Sequence, residues 1–108
     1  MKVLLDECIP RKFKNCLPGH ECQTVPIAGF AGRKNGELLR LAEAQGFEVF
    51  LTVDSGIPYE QNLGGRRIGI VILHGKSNRL AALVPCAEDC LLKLRSIQPG
   101  QVLHVGSG

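Results

Sequence analysis

A chain of 108 residues with 44% hydrophobic content and a net charge of +3 has the size and apolar content of one globular domain, and is too apolar for a disordered chain. No apolar run approaches the ~20 residues that a membrane-spanning helix needs, and Asp6 and Glu7 end the first apolar run early, which reads against a signal peptide and predicts a cytoplasmic protein. Cys8, Cys16, Cys22, Cys86 and Cys90 form an odd set without framework spacing, which argues against a secreted disulfide scaffold and predicts reduced thiols.

Lys2 to Leu5 is a short apolar run and reads as a buried strand. Pro10 opens a short helix through Cys16, because its missing N–H costs nothing at a first helical position. Leu17-Pro18-Gly19-His20 is a turn, and Glu21 to Val25 alternates weakly as a second strand. Pro26 to Lys34 reads as a loop. Asn35 is then the expected N-cap of a helix from Gly36 to Gln45, with Leu38, Leu39, Leu41 and Ala42 on its apolar side and Gly46 as its stop. Glu48 to Val53 is a third strand that ends at Asp54.

Ser55 to Gly65 reads as a loop with one helical turn near Tyr59 to Asn62. Arg67 to Leu73 is almost continuously apolar, as a central parallel strand would be. Asn78 to Leu94 is the clearest helix, with Leu80, Leu83, Val84, Ala87, Leu91 and Leu94 at three- and four-residue steps and Pro85 expected to kink or split it. Pro99-Gly100 is a turn, Gln101 to Val105 a closing strand. Residues 1–105 thus read as a single domain, with a flexible tail at 106–108.

Strands that alternate with helices imply parallel βαβ units, and in such sheets ligands bind beyond the carboxyl ends of the strands. Asp6 and Glu7 follow the first strand, Asp54 follows the third, and Glu37 stands in the first turn of a helix, a place from which it could lean towards the same rim. Carboxylates held close together repel unless one is protonated or a cation joins them, and Mg²⁺ or Mn²⁺ prefers such oxygen ligands. Arg11, Lys12 and Lys14, with the pairs Arg33-Lys34 and Arg66-Arg67, read equally as a solvated basic face or as contacts to phosphates.

The run Val3-Leu4-Leu5-Asp6-Glu7, followed by Ile9-Pro10-Arg11-Lys12, Asn35-Gly36-Glu37-Leu38-Leu39, Phe50-Leu51-Thr52-Val53-Asp54, Tyr59-Glu60-Gln61-Asn62-Leu63 and Ser77-Asn78-Arg79-Leu80, resembles the PIN-like nuclease superfamily. Within it the chain is most similar to the short bacterial nucleases predicted for toxin–antitoxin systems. The resemblance implies a three-layer α/β/α sandwich with a mainly parallel sheet. It implies Mg²⁺- or Mn²⁺-dependent hydrolysis of RNA, with Asp6, Glu37 and Asp54 as metal-binding catalytic acids, an antitoxin protein as partner, and pairing as a homodimer. On this reading Arg11, Lys12 and Lys34 hold phosphates, and Gln61 and Asn62 meet sugar or base edges.

Two readings of other classes remain. A toxin-like module that binds a partner without catalysis has the same sequence features, since fold does not imply function. A phosphoacceptor receiver domain also places acids after its first and third strands, but it needs a lysine after the fifth, where this chain has His104-Val105-Gly106. Cys86 and Cys90 share a helix face without a nearby histidine and read as buried thiols. His20, His74 and His104 read as solvated or structural residues.

Overall fold

Residues 1–57 and 66–106 are described by the computed structural model. The helical turn expected near Tyr59 to Asn62 lies outside the described residues, as do the last two residues of the expected tail. Among the described residues the elements run β1 (Lys2–Leu5), a 3₁₀ segment (Arg11–Cys16), β2 (Glu21–Thr24), α1 (Asn35–Ala44), β3 (Val49–Thr52) and β4 (Gly69–Leu73). After β4 come α2 (Leu80–Leu83), a second 3₁₀ segment (Val84–Cys86), α3 (Ala87–Ser96) and β5 (Val102–Val105). The result is an α/β protein whose described strands form a sheet of order β2-β1-β3-β4-β5, with every neighbouring pair parallel.

The continuous apolar runs are explained by burial on both sides of the sheet. Val3, Leu5, Val49, Leu51, Val71, Leu73 and Val105 join one core with Phe13, Leu17, Leu83, Cys86, Cys90 and Leu94. Leu4, Phe50, Ile70 and Ile72 join the other with Leu38, Leu39, Ala42, Phe30 and Ile57. All of β3 and β4 is buried, whereas the edge strands β2 and β5 are partly open.

Several strand and helix ends differ by one or two residues from the sequence expectations. The short helix expected after Pro10 is present as a 3₁₀ segment, opened by the Phe13 N–H donating to the Pro10 carbonyl at 2.9 Å. Asn35 is the first residue of α1 and not its cap; Lys34 takes that position without a side-chain cap bond. The long helix starts at Leu80, not Asn78, and reaches Ser96. Its split is the one Pro85 dictates: without an N–H, Pro85 cannot bond the Ala81 carbonyl, and the chain passes through one 3₁₀ turn before α3 resumes. Gly46 stops α1 as expected, at φ +85°. No helix among the described residues is long and apolar enough to cross a membrane.

Candidate functional site

The strand order reverses between β1 and β3, and this is where a parallel sheet opens a crevice at its carboxyl edge. The packing shows why. The chain leaves β1 towards the core that holds Phe13 and leaves β3 towards the core that holds Ile57. The two connections part, and the rim between them carries Asp6 and Asp54.

Asp6 is fixed to β3 by its own backbone, whose N–H donates to the Leu51 carbonyl at 2.9 Å. β3 ends in Thr52, a polar side chain with no exposure in an otherwise apolar core. A buried hydroxyl must be bonded. The Thr52 hydroxyl donates to Asp6 Oδ2 at 2.7 Å and accepts the Asp54 N–H at 3.0 Å. One hydroxyl therefore links the acid after β1 to the acid after β3. Asp6 Oδ1 accepts the Glu7 N–H at 2.8 Å, and Asp54 Oδ1 accepts the Gly56 N–H at 2.9 Å.

Cys8 completes the cluster. Its thiol donates to Asp6 Oδ2 at 3.4 Å and lies 3.8 Å from Thr52 Oγ1. Burial pushes this thiol above its ordinary value of 9.0, and the negative Asp6 adds to the rise against opposing contacts from the Val53 backbone and Thr52. At neutral pH Cys8 is a protonated donor to a carboxylate, not a thiolate nucleophile.

The other expected residues are dispersed. Glu37 Oε1 accepts from Arg33 Nη1 at 2.8 Å, one helical turn away, in a pair with side chains 39% and 50% exposed. Such a pair is worth only about 0.3–0.5 kcal/mol and holds Glu37 weakly. Arg11 and Lys12 are exposed on the first 3₁₀ segment, and Lys34 is exposed ahead of α1. Arg11 lines an open groove of about 460 Å³ with Asp6, Glu7, Ile9, Pro10, Thr24, Pro26 and Ile27. Gln61 and Asn62 lie outside the described residues. A second recess, of about 330 Å³, opens at the amino ends of the strands beside Met1, Glu43 and Glu48, far from these acids in the sheet. There Glu43 is already engaged by the N–H groups of Arg67 and Ile68.

Among the described residues no three His, Cys, Asp or Glu side chains gather as a group able to hold a metal ion. Asp6 and Asp54 follow neighbouring strands and share Thr52 through the Asp6 carboxylate and the Asp54 N–H, and a hard ion such as Mg²⁺ is commonly held by one or two carboxylates while it keeps several waters. Asp6 and Asp54 are oxygen donors, the type that a hard cation such as Mg²⁺ or Mn²⁺ takes.

Two features escaped the sequence reading. Thr52 looked like one more β-former, although a threonine two residues before a strand-end aspartate was a usable signal. The contact between His74 and His104 needed the adjacency of β4 and β5, which no local pattern reveals.

The fold and the site define a parallel α/β protein with hydroxyl-linked aspartates at the switch point of its sheet. No family model, no curated protein and no solved structure matches the chain.

Proposed function

We propose that this chain is a metal-dependent ribonuclease with a PIN-like α/β/α sandwich, acting as the toxin of a toxin–antitoxin pair. The observation that supports it best is the link of Asp6 through Thr52 to Asp54 at the sheet's switch point. Asp6 and Asp54 would hold Mg²⁺ or Mn²⁺, and Glu37 would join them after release from Arg33, at a cost of a few tenths of a kcal/mol. When bound, such an ion lowers the pKa of a coordinated water and stabilises charge on a phosphoryl group.

The chain's own side chains have separate tasks. Thr52 and the Glu7 N–H orient Asp6, and the Gly56 N–H orients Asp54. Arg11, exposed beside Asp6 in the groove, would bind a flanking phosphate, with Lys12 and Lys34 extending the contact. An antitoxin would act by covering this groove, and the exposed Ile27 gives a partner an apolar foothold there.

The experiment compares Mn²⁺-dependent cleavage of RNA by the wild type, Asp6→Asn, Asp54→Asn and Glu37→Gln. The proposal expects both aspartate variants to lose activity by orders of magnitude. Equal activity in wild type and both aspartate variants removes these residues from the mechanism. No cleavage by any of them, with tight capture of a partner protein, favours the non-catalytic binding module. The receiver reading shares this strand order and the acids after β1 and β3, but β5 ends in His104-Val105 without a lysine. Acetyl phosphate labelling of Asp54 would revive it.

A further inference from the structure

Elsewhere on the carboxyl edge of the sheet two imidazoles meet. His74 directly follows β4, and His104 lies in β5 opposite Ile72. His74 Nε2 and His104 Nδ1 are 2.7 Å apart. The ring centroids are 5.0 Å apart and the planes differ by 26°. The nitrogen–nitrogen gap plus the two ring radii fills that whole separation. The rings therefore meet head-on, nitrogen to nitrogen and nearly coplanar, and are not stacked face on face. One nitrogen donates and the other accepts, so both rings are neutral or share a single extra proton. His104 is exposed, His74 is half-buried, and neither ring makes another hydrogen bond among the described residues.

We propose that His74 and His104 form a chelating site for a borderline divalent transition ion, with Cu²⁺ preferred over Zn²⁺. This site is independent of the nuclease reading. Neutral imidazole suits these ions, whereas Mg²⁺ and Mn²⁺ prefer the oxygen donors of Asp6 and Asp54. For a given nitrogen site the affinity of first-row divalent ions rises to Cu²⁺ and falls again at Zn²⁺. The ring that donates must pass its proton through water to its other nitrogen, and both nitrogens must then turn from each other towards one ion; the exposed His104 ring can turn into solvent at the cost of one surface hydrogen bond. Water fills the remaining positions, since no third ligating side chain joins the pair among the described residues.

A competing nitrogen pair exists, because His20 Nδ1 lies 3.5 Å from the Met1 amino group. The test is therefore a Cu²⁺ titration of the full chain near pH 7.5, followed by calorimetry and by electron paramagnetic resonance, on the wild type, His74→Ala, His104→Ala, the double variant and His20→Ala. The wild type should bind one Cu²⁺ with two imidazole nitrogens. Each single variant of the pair should bind about tenfold more weakly or worse, because the second ligand no longer closes an intramolecular ring. His20→Ala and an excess of Mg²⁺ should leave binding unchanged. Undiminished two-nitrogen binding in the double variant, its loss in His20→Ala, or a single-nitrogen signal in the wild type overturns the assignment. Circular dichroism checks the fold of each variant, and the exposed His104 keeps the test valid if His74→Ala is unstable.

Discussion

The Thr52 hydroxyl donates to the Asp6 carboxylate at 2.7 Å from a side chain with no exposure to solvent. A hydrogen bond to a charged group contributes about 1.5–3 kcal/mol, and its loss here would also leave the Asp54 N–H without its acceptor. Thr52→Val keeps the shape and removes the hydroxyl, so it should lower unfolding stability by about 2–3 kcal/mol. Thr52→Ser keeps the hydroxyl and loses one methyl group, which should cost about 1 kcal/mol. Urea denaturation of the three proteins measures both. A valine variant as stable as the serine variant would show that the hydroxyl bonds do not support the rim.

Much of this architecture was legible in sequence because both faces of the sheet are buried. Phe50 and Leu51 point to different cores, so the run is apolar without alternation, and that pattern marks a central parallel strand. Pro85 announced the break between α2 and α3 because its missing N–H acts locally. The Asp6 and Asp54 positions followed from the rule that sites lie past strand ends. The neighbour of each side chain was not legible. Glu37 looked like a rim acid, but an arginine one turn back reaches it first. Thr52 and the His74–His104 contact depend on which strands lie side by side, a long-range property that residue patterns do not encode.

Glu37 should contribute almost nothing to the folded state on its own. Its pair with Arg33 is exposed and spans one helical turn, so Glu37→Gln should change unfolding stability by less than about 0.5 kcal/mol. Salt at 1 M should erase even that difference. If Glu37 swings to join Asp6 and Asp54, Glu37→Gln should weaken Mn²⁺ binding while Arg33→Ala strengthens it slightly. Calorimetric titration of Mn²⁺ reads both effects, and an identical affinity in all three proteins would leave Glu37 as a surface residue only.

Alkaline conditions should destabilise the fold through its thiols. Burial pushes Cys90 up from 9.0 to about 12, with smaller contributions from Cys22, Cys86 and Asp89. Above pH 9 the unfolded chain releases the Cys90 proton while the folded chain keeps it. The unfolded state then binds fewer protons, and stability falls as pH rises by about 1.4 kcal/mol per unit from this residue. The loss should start near pH 9 and level off near pH 12, and the raised thiols of Cys8, Cys22 and Cys86 add to it. Cys90→Ala should lower the baseline stability but flatten the slope between pH 9 and 11. Urea unfolding across that range, under reducing conditions, measures the slope, and an unchanged slope would place the titration elsewhere.

Gly100 tests how the last strand is entered. It has φ +78°, and its N–H donates to the Arg67 carbonyl at 3.1 Å in the turn before β5. A Cβ added there would lie 2.5 Å from the Arg66 carbonyl oxygen, a backbone atom that cannot swing away as a side chain could. The left-handed conformation alone costs an alanine about 1–2 kcal/mol, and relief of the contact adds to that, so Gly100→Ala should destabilise by at least about 2 kcal/mol. Gly46 has a similar φ of +85° but open space around its Cβ, so Gly46→Ala isolates the conformational part at about 1 kcal/mol. The difference between the two variants in denaturant midpoint reads the cost of the contact with Arg66. Because β5 lies at the edge of the described sheet, paired with β4, a Gly100→Ala chain should also exchange the β5 amides faster than those of β1 and β3. Equal destabilisation by the two alanines would mean that the turn relaxes without strain and that the register of β5 is set by its side chains alone.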